Sequence, residues 1–265
     1  HLSLYDLSED RSSCGVGFIT RKDSVQTHDV LLKAHEALCA VPHRGGMSSE
    51  GVGDGAGVSV DLSLGFFRKL TGKDDLAHRR YGVGNFFLPA DTSLHTEAEA
   101  IIEAALTEHD FTLFLKRDVP VNNDVIRPKA VQYQLPIRQW VFSIHDEAAS
   151  EAEFDLRIHK ALLTIEAQAY TRPEFTGFYP LSLGARTQVF KGRLNSDEVI
   201  PYFCDLVDSD HAIHTIYFHT RFSTNTDPHP SMAQPFRFMA HNGELNTDRK
   251  NRLSEAAIAS AKNAS

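Results

Sequence analysis

Cysteine is scarce in this sequence, with three residues in a chain of 265. Cys14, Cys39 and Cys204 are too few and too widely spaced for a disulfide framework, a four-thiolate zinc site or an iron–sulfur cluster held by this chain alone. Cys39 and Cys204 lie in apolar segments, so we expect both to be buried small side chains. Cys14 differs, because it separates a polar stretch from the glycine-spaced segment 15–19.

A long apolar run and an excess of positive charge are also missing. No window approaches the ~20 continuous apolar residues of a membrane-spanning helix, and the N-terminus lacks the basic start and apolar core of a signal peptide. The 27 basic residues are outnumbered by 35 acidic ones, and the net charge of −8 disfavours binding to nucleic-acid phosphates. We therefore expect a cytoplasmic protein with neither a nucleic-acid nor a membrane partner.

Helical and strand-like patterns are mixed along the chain, and 42% of its residues are apolar. Hydrophobic periodicity, bounded by turn residues, separates the elements. The patterns predict helices at 29–40, 98–106, 154–170 and 195–206. They predict strands at 16–20, 55–62, 82–88, 111–117, 131–135, 139–144, 187–191, 214–222 and 236–240. Without an internal repeat or a linker, this mixture indicates one α+β domain with two packed sheets.

Four polar, glycine-marked segments interrupt this apolar scaffold. The segments are Cys14-Gly15, His43-Arg44-Gly45-Gly46 with Gly53-Asp54-Gly55-Ala56-Gly57, Arg221-Phe222-Ser223-Thr224-Asn225, and His241-Asn242-Gly243-Glu244. Each one alone also fits an ordinary turn or a solvated cation. Together they contain the groups that acyl transfer needs: a thiol nucleophile, a guanidinium that binds carboxylates, and a side-chain amide beside a backbone N–H.

These segments, together with Ser182-Leu183-Gly184-Ala185-Arg186-Thr187, occur in the order of a known family. The sequence resembles the glutamine amidotransferase domain of the large subunit of glutamate synthase, a class II, N-terminal-nucleophile amidotransferase. The resemblance covers about residues 4–247. It implies an α+β fold, the four-layer αββα sandwich of two mainly antiparallel sheets seen in N-terminal-nucleophile hydrolases. It also implies that Cys14 lies at a sheet end, facing Asn242 and Gly243.

The resemblance makes Cys14 the nucleophile that attacks the side-chain amide of L-glutamine. A thiol with a pKa of ~8.5 needs a base at neutral pH, and an α-amino group with a pKa of ~7.7 to 8.0 on the same residue can serve. The family therefore places this cysteine first in the mature chain. We expect residues 1–13 to be a propeptide and residues 14–265 to be the amidotransferase domain, either as an N-terminal fragment that is incomplete at its C-terminal end or as an abbreviated member of the family.

The remaining site residues are also assigned by the resemblance. Asn242 and Gly243 match the oxyanion hole, in which the amide side chain and the backbone N–H face the tetrahedral oxygen. Arg221 matches the arginine that binds the α-carboxylate of glutamine, a forked contact that lysine reproduces poorly. Thr224 and Asn225 fall where related amidotransferases line the glutamine pocket. These residues complete a predicted glutaminase site.

Two positions leave the assignment open. Arg44 matches an arginine that orders the loop over bound glutamine, whereas the residues themselves also allow a structural ion pair with Asp54 or Glu50. In the family, a further acidic residue well beyond the Asn-Gly motif holds the α-ammonium of glutamine. Asp248 is too close to that motif to match this acidic residue, so the completeness of the glutamine site stays open.

The resemblance also implies what the domain works with. Its partner is a synthase domain or subunit that accepts ammonia for glutamate synthesis from 2-oxoglutarate. We expect no cofactor in this domain, because FMN and the iron–sulfur cluster belong to the downstream part of such enzymes. The alternative function is a catalytically silent glutamine-binding or structural module of the same fold.

Two other chemistries fit single features of the sequence. His43 or His241 could act as the base of a cysteine–histidine hydrolase. His211, His214 and His219 are close in sequence, as metal ligands often are. On a strand, however, His211 and His219 share one face while His214 lies on the other, so we expect no metal site.

Overall fold

Two four-stranded antiparallel sheets form the centre of the computed structural model, which describes residues 15–41, 47–48, 50–144 and 149–220. The first sheet has the order β1-β8-β2-β7 and the second the order β4-β5-β3-β6. The strands are β1 Val16–Thr20, β2 Ala56–Asp61, β3 Tyr81–Phe87, β4 Phe111–Asp118, β5 Ile137–Ile144, β6 Tyr179–Gly184, β7 Thr187–Gly192 and β8 Thr215–His219. The short turn between β6 and β7 connects the two sheets.

Helices cover both sheets. The α-helices are α1 Asp29–Cys39, α2 Leu64–Thr71, α3 His95–Glu108, α4 Pro128–Val131, α5 Glu151–Ala169, α6 Val199–Tyr202 and α7 Cys204–Val207. Local sequence sets several of their ends: the hydroxyls of Ser63 and Ser150 cap the first turns of α2 and α5, and Gly72 ends α2 in the left-handed conformation.

The apolar core follows these layers. One cluster joins α1 and α6 to the first sheet, through residues such as Leu31, Val58 and Ile200. A second cluster joins α3 and α5 to the second sheet, through residues such as Ile102 and Trp140. The first cluster also contains residues of the second sheet, so the sheets share a core. The expected α+β sandwich of helix, sheet, sheet and helix layers is confirmed.

Buried polar side chains link the second sheet to its surroundings. Gln139 donates hydrogen bonds to Asn85 (2.9 Å) and to Gln188 of β7 (3.2 Å). Arg117 of β4 donates to Gln139 (2.9 Å) and forms a two-pronged ion pair with Asp205 of α7. Because the side chain of Arg117 is 15% exposed and that of Asp205 5%, neither charge has much access to water.

Several local expectations are wrong. The apolar alternation at 131–135 predicts a strand, but Pro128 begins the short helix α4 there and turns follow it. The predicted helix 195–206 is interrupted at Phe203, whose extended backbone forms a bridge with Val121. Strand β6 and helix α2 were not expected from the pattern. Cys39 is exposed rather than buried, and Cys204 is partly exposed.

Candidate active site

The residues that the sequence assigns to the site lie outside the described part of the chain. They are Cys14, Arg44, Arg221, Thr224, Asn225, Asn242 and Gly243. The predicted strand 236–240 and the two candidate bases, His43 and His241, also lie outside it. The described neighbours of these residues in the chain are Gly15, Met47 and Thr220.

Described residues that adjoin these segments meet at one edge of the first sheet. Because β8 runs antiparallel to both β1 and β2, the end of β8 lies beside the starts of β1 and β2. The register shows this directly, since Val16 and Gly57 both pair with His219. In the chain, Cys14 precedes β1, the Gly-Asp-Gly-Ala-Gly motif enters β2, and Arg221 follows β8. Among the described residues, the topology thus brings Gly15, Gly57 and Thr220, which belong to or adjoin three of the four motif segments, to one sheet edge.

Gly15 and Thr220 are bonded to each other at this edge. The backbone N–H of Thr220 donates to the carbonyl oxygen of Gly15 at 2.9 Å. The N–H of Gly15 donates to Oγ1 of Thr220 at 3.1 Å, and the same hydroxyl lies 3.3 Å from the Gly15 carbonyl oxygen. The residue after Cys14 and the residue before Arg221 are therefore held in direct contact.

A row of four paired residues crosses the sheet one residue inside this edge. Val16, His219, Gly57 and Lys191 follow one another across β1, β8, β2 and β7, and paired residues lie on the same face of a sheet. His219 is 3% exposed and Lys191 1% exposed. Burial lowers the pKa of the His219 imidazole to about 4, so it is neutral near pH 7. The ammonium of Lys191 lies 5.0 Å from the ring centre of Tyr179.

The sequence did not single out this row. From the sequence, His219 was considered only as a metal ligand and rejected, and Lys191 was only the last residue of a predicted strand. Among the described residues, no three His, Cys, Asp or Glu side chains converge as metal ligands. His211 instead bonds the carbonyl oxygen of Asp205, and His214 bonds the carboxylate of Asp61. The sequence signal for this row was a polar residue, His219 or Lys191, within an otherwise apolar predicted strand.

The glycine motif before β2 is packed against neighbouring backbone. Met47 bridges Gly53, and a Cβ atom on Gly53 would lie 2.2 Å from the carbonyl carbon of Leu194. Only glycine fits at that distance. Glu50, one of the two alternative partners suggested for Arg44, forms an ion pair with Lys129. The motif therefore sets the close approach of two backbone segments at the start of β2.

Two cavities in the described structure lie at the other end of these strands. A cavity of about 520 Å³ is bordered by α5 and the β6–β7 turn, and one of about 390 Å³ by Asp61, Tyr81 and His214. Ala185, Arg186 and Thr187 line both. Since β2 runs from Ala56 to Asp61, these cavities lie about 17 Å from the Gly15–Thr220 edge at ~3.4 Å per residue. Cavity size alone would therefore point away from the motif edge.

No described helix combines the length and the apolar character needed to cross a membrane.

Comparison with known proteins identifies relatives over almost the whole chain. The family described as glutamine amidotransferases class-II matches residues 14–263. The large chain of NADPH glutamate synthase from Azospirillum brasilense is 34% identical over 255 residues, which are 94% of this chain and 17% of the relative. Ferredoxin-dependent glutamate synthase 1 from Arabidopsis thaliana is 34% identical, over 92% of this chain and 15% of the relative. NADH glutamate synthase from Saccharomyces cerevisiae is 33% identical, over 94% of this chain and 12% of the relative. The chain thus spans less than a fifth of the length of these relatives.

Proposed function

The chain belongs to the class II glutamine amidotransferase family, and on that premise we propose that it hydrolyses L-glutamine to glutamate and ammonia through a thioester on Cys14. The observation that carries this proposal is the bonded pair Gly15–Thr220. Consecutive Cα atoms are ~3.8 Å apart, so Cys14 and Arg221 are each one peptide unit from that pair. The residue after the proposed nucleophile and the residue before the proposed carboxylate binder are therefore hydrogen-bonded to each other, which supports the proposal.

The proposed reaction starts with removal of residues 1–13, which frees the α-amine of Cys14. That amine takes the thiol proton, and the sulfur attacks the amide carbon of the glutamine side chain. Asn242 and the N–H of Gly243 stabilise the oxyanion, and removal of one such donor typically costs ~10²- to 10³-fold in kcat. The protonated amine then gives its proton to the departing ammonia, and water attacks the thioester with the amine again as base.

Substrate binding is assigned to the other motif residues. Arg221 holds the α-carboxylate, Thr224 and Asn225 line the pocket, and Arg44 orders the loop over glutamine. Because the guanidinium acts on the ground state as well as on the transition state, loss of Arg221 raises KM. The pairing of Glu50 with Lys129 favours this role for Arg44 over an ion pair with Glu50.

The ammonia is proposed to pass to a synthase domain or subunit that makes glutamate from 2-oxoglutarate. The support is that the similar proteins are glutamate synthases of much greater length. In this proposal residues 14–265 form the amidotransferase domain of a cytoplasmic enzyme, and FMN and the iron–sulfur cluster belong to other domains. The alternative is a silent glutamine-binding module of the same fold.

Glutamate release from the chain that begins at Cys14 tests the proposal. Cys14→Ala is expected to abolish glutamate release while glutamine still binds, because the thiol forms bonds only during reaction. Cys39→Ala and Cys204→Ala are the matched controls and are expected to keep full activity. The rate should rise with pH through the titration of the amine, at ~7 to 8. Binding without turnover in the processed chain would instead establish the silent module.

The leader provides a second test of the base. A chain proven by mass to retain Ser13 should release no glutamate, because its Cys14 nitrogen is an amide. Undiminished activity of that chain would contradict the role of the amine and favour a histidine base.

A further inference from the structure

Thr220 ends the pairing of β1 with β8 in an unusual way. In the hydrogen-bonded pairs of a regular antiparallel ladder, which alternate with pairs that exchange no such bonds, two opposed residues exchange both backbone N–H···O bonds. Gly15 and Thr220 make one such bond, from the Thr220 N–H to the Gly15 carbonyl at 2.9 Å. The second bond is made by the side chain, since the Gly15 N–H donates to Oγ1 of Thr220 at 3.1 Å.

The hydroxyl of Thr220 thus contacts both polar groups of the Gly15 backbone. It accepts the Gly15 N–H and is placed to donate its own proton to the Gly15 carbonyl oxygen, 3.3 Å away. Thr220 is 1% exposed, so water does not replace these bonds easily. Gly15 is held at three contacts by one residue of the neighbouring strand.

The nitrogen that Thr220 binds belongs to the peptide bond between Cys14 and Gly15. In a chain that starts at Cys14, this peptide is the only covalent attachment of the nucleophile, and chain ends fray unless they are tied down. A peptide bond is planar, so holding the Gly15 N–H also orients the carbonyl carbon of Cys14. The rotations that remain are those about the bonds of Cys14 itself.

We propose that Thr220 is a positioning residue, whose hydroxyl holds the Cys14–Gly15 peptide so that the thiol meets the amide carbon of glutamine in a reactive orientation. This inference rests on the proposed glutaminase function. Misplacement of a reacting atom by about 1 Å can cost ~10²-fold in rate. Loss of the hydroxyl should therefore lower kcat, whereas glutamine binding should remain nearly unchanged.

A threonine within β8 supplies a matched control for Thr220, which directly follows that strand. Thr215 lies at the opposite end of β8, where its Oγ1 meets Oγ1 of Thr20 at 2.7 Å on an exposed surface. Replacing either threonine with valine removes a hydroxyl, keeps the shape of the side chain and retains its β-branch. The two variants differ in which end of the strand loses its hydrogen bonds.

The experiment measures kcat and KM for glutamine in the chain that begins at Cys14. Thr220→Val is expected to lower kcat about 10- to 100-fold with KM changed by less than about threefold. Thr220→Ser, which keeps the hydroxyl, should stay within about threefold of the parent in kcat, and Thr215→Val should match the parent. Should Thr220→Val fail to fold, the kcat values of Thr220→Ser and Thr220→Ala are compared instead, because these two side chains differ only by the hydroxyl.

Three results would overturn the assignment. Parental kcat in Thr220→Val would show that the hydrogen bonds from the Thr220 hydroxyl to Gly15 are not needed, and an equal loss of kcat in Thr220→Ser would show that the missing hydroxyl is not the cause. A raised KM with unchanged kcat would mean that Thr220 acts on substrate binding through Arg221. An inactive parent chain would instead refute the proposed function, so the two failures are distinguishable.

Discussion

Acid destabilisation through His219 follows from its burial in the first sheet. Burial lowers the pKa of this imidazole from 6.5 to about 4, while in the unfolded chain it is solvated. As the pH falls below 6.5, the His219 imidazole takes up a proton in the unfolded state but stays neutral in the folded state until the pH approaches about 4. The contribution to stability is therefore complete above about pH 6.5 and is lost progressively as the pH falls to about 4.

The magnitude follows from the two pKa values. The pKa is 6.5 in the unfolded chain and about 4 in the folded chain. At about pH 5 this difference lowers the free energy of unfolding by about 2 kcal/mol, at ~1.36 kcal/mol per pKa unit. Near pH 7.5 the same pKa difference leaves the free energy of unfolding almost unchanged. His211 also lowers the free energy of unfolding as the pH falls, because burial lowers its pKa as well.

Denaturant unfolding at about pH 7.5 and pH 5 measures this difference for each variant. His219→Gln cannot take up the proton, so its free energy of unfolding should fall about 2 kcal/mol less between the two pH values than that of the parent. His78→Gln is the control, since His78 is exposed and its imidazole meets water in both states. An unchanged pH dependence in His219→Gln, or a flattened one in His78→Gln, would refute the reasoning.

Two further predictions concern packing and charge. Gly53→Ala should destabilise the fold by about 1 to 3 kcal/mol and lower glutaminase activity, because its Cβ atom would lie 2.2 Å from a backbone carbon. The same change at Gly65, where the nearest atom is 3.6 Å away, should be neutral or stabilising in thermal unfolding. Arg117→Met should cost about 3 to 5 kcal/mol in denaturant unfolding, because it leaves the buried carboxylate of Asp205 without its cation. Lys129→Met, which breaks an exposed pair, should change stability by less than about 1 kcal/mol; equal losses in both would contradict this account.

Elements with long, regular periodicity were predictable from the sequence. The amphipathic helices α3 and α5 and strands such as β3 and β5 lie within a few residues of their expected positions. Their patterns succeed because each element buries one face, or nearly both, over several turns or pleats. Short elements failed for the converse reason: at 131–135 the apolar alternation is overridden by Pro128, and at Phe203 a contact with another segment breaks the helix.

The sequence by itself determined which residue types are present for the chemistry, and in which order. Cys14, Arg221, Asn242 and Gly243 were identified from local motifs, because a nucleophile, a carboxylate binder and an oxyanion donor are properties of side chains and short segments. Their roles stay predictions, since these residues lie outside the described structure.

Tertiary structure alone decided which distant segments meet. Gly15 and Thr220 are 205 positions apart in the chain, and only the pairing of β1 with β8 brings them into contact. The same register aligns His219 with Lys191 across Gly57, a relation that no local pattern encodes. Strand pairing depends on the sum of many long-range contacts over a whole sheet, whereas motifs and periodicity report only on residues that are neighbours in sequence.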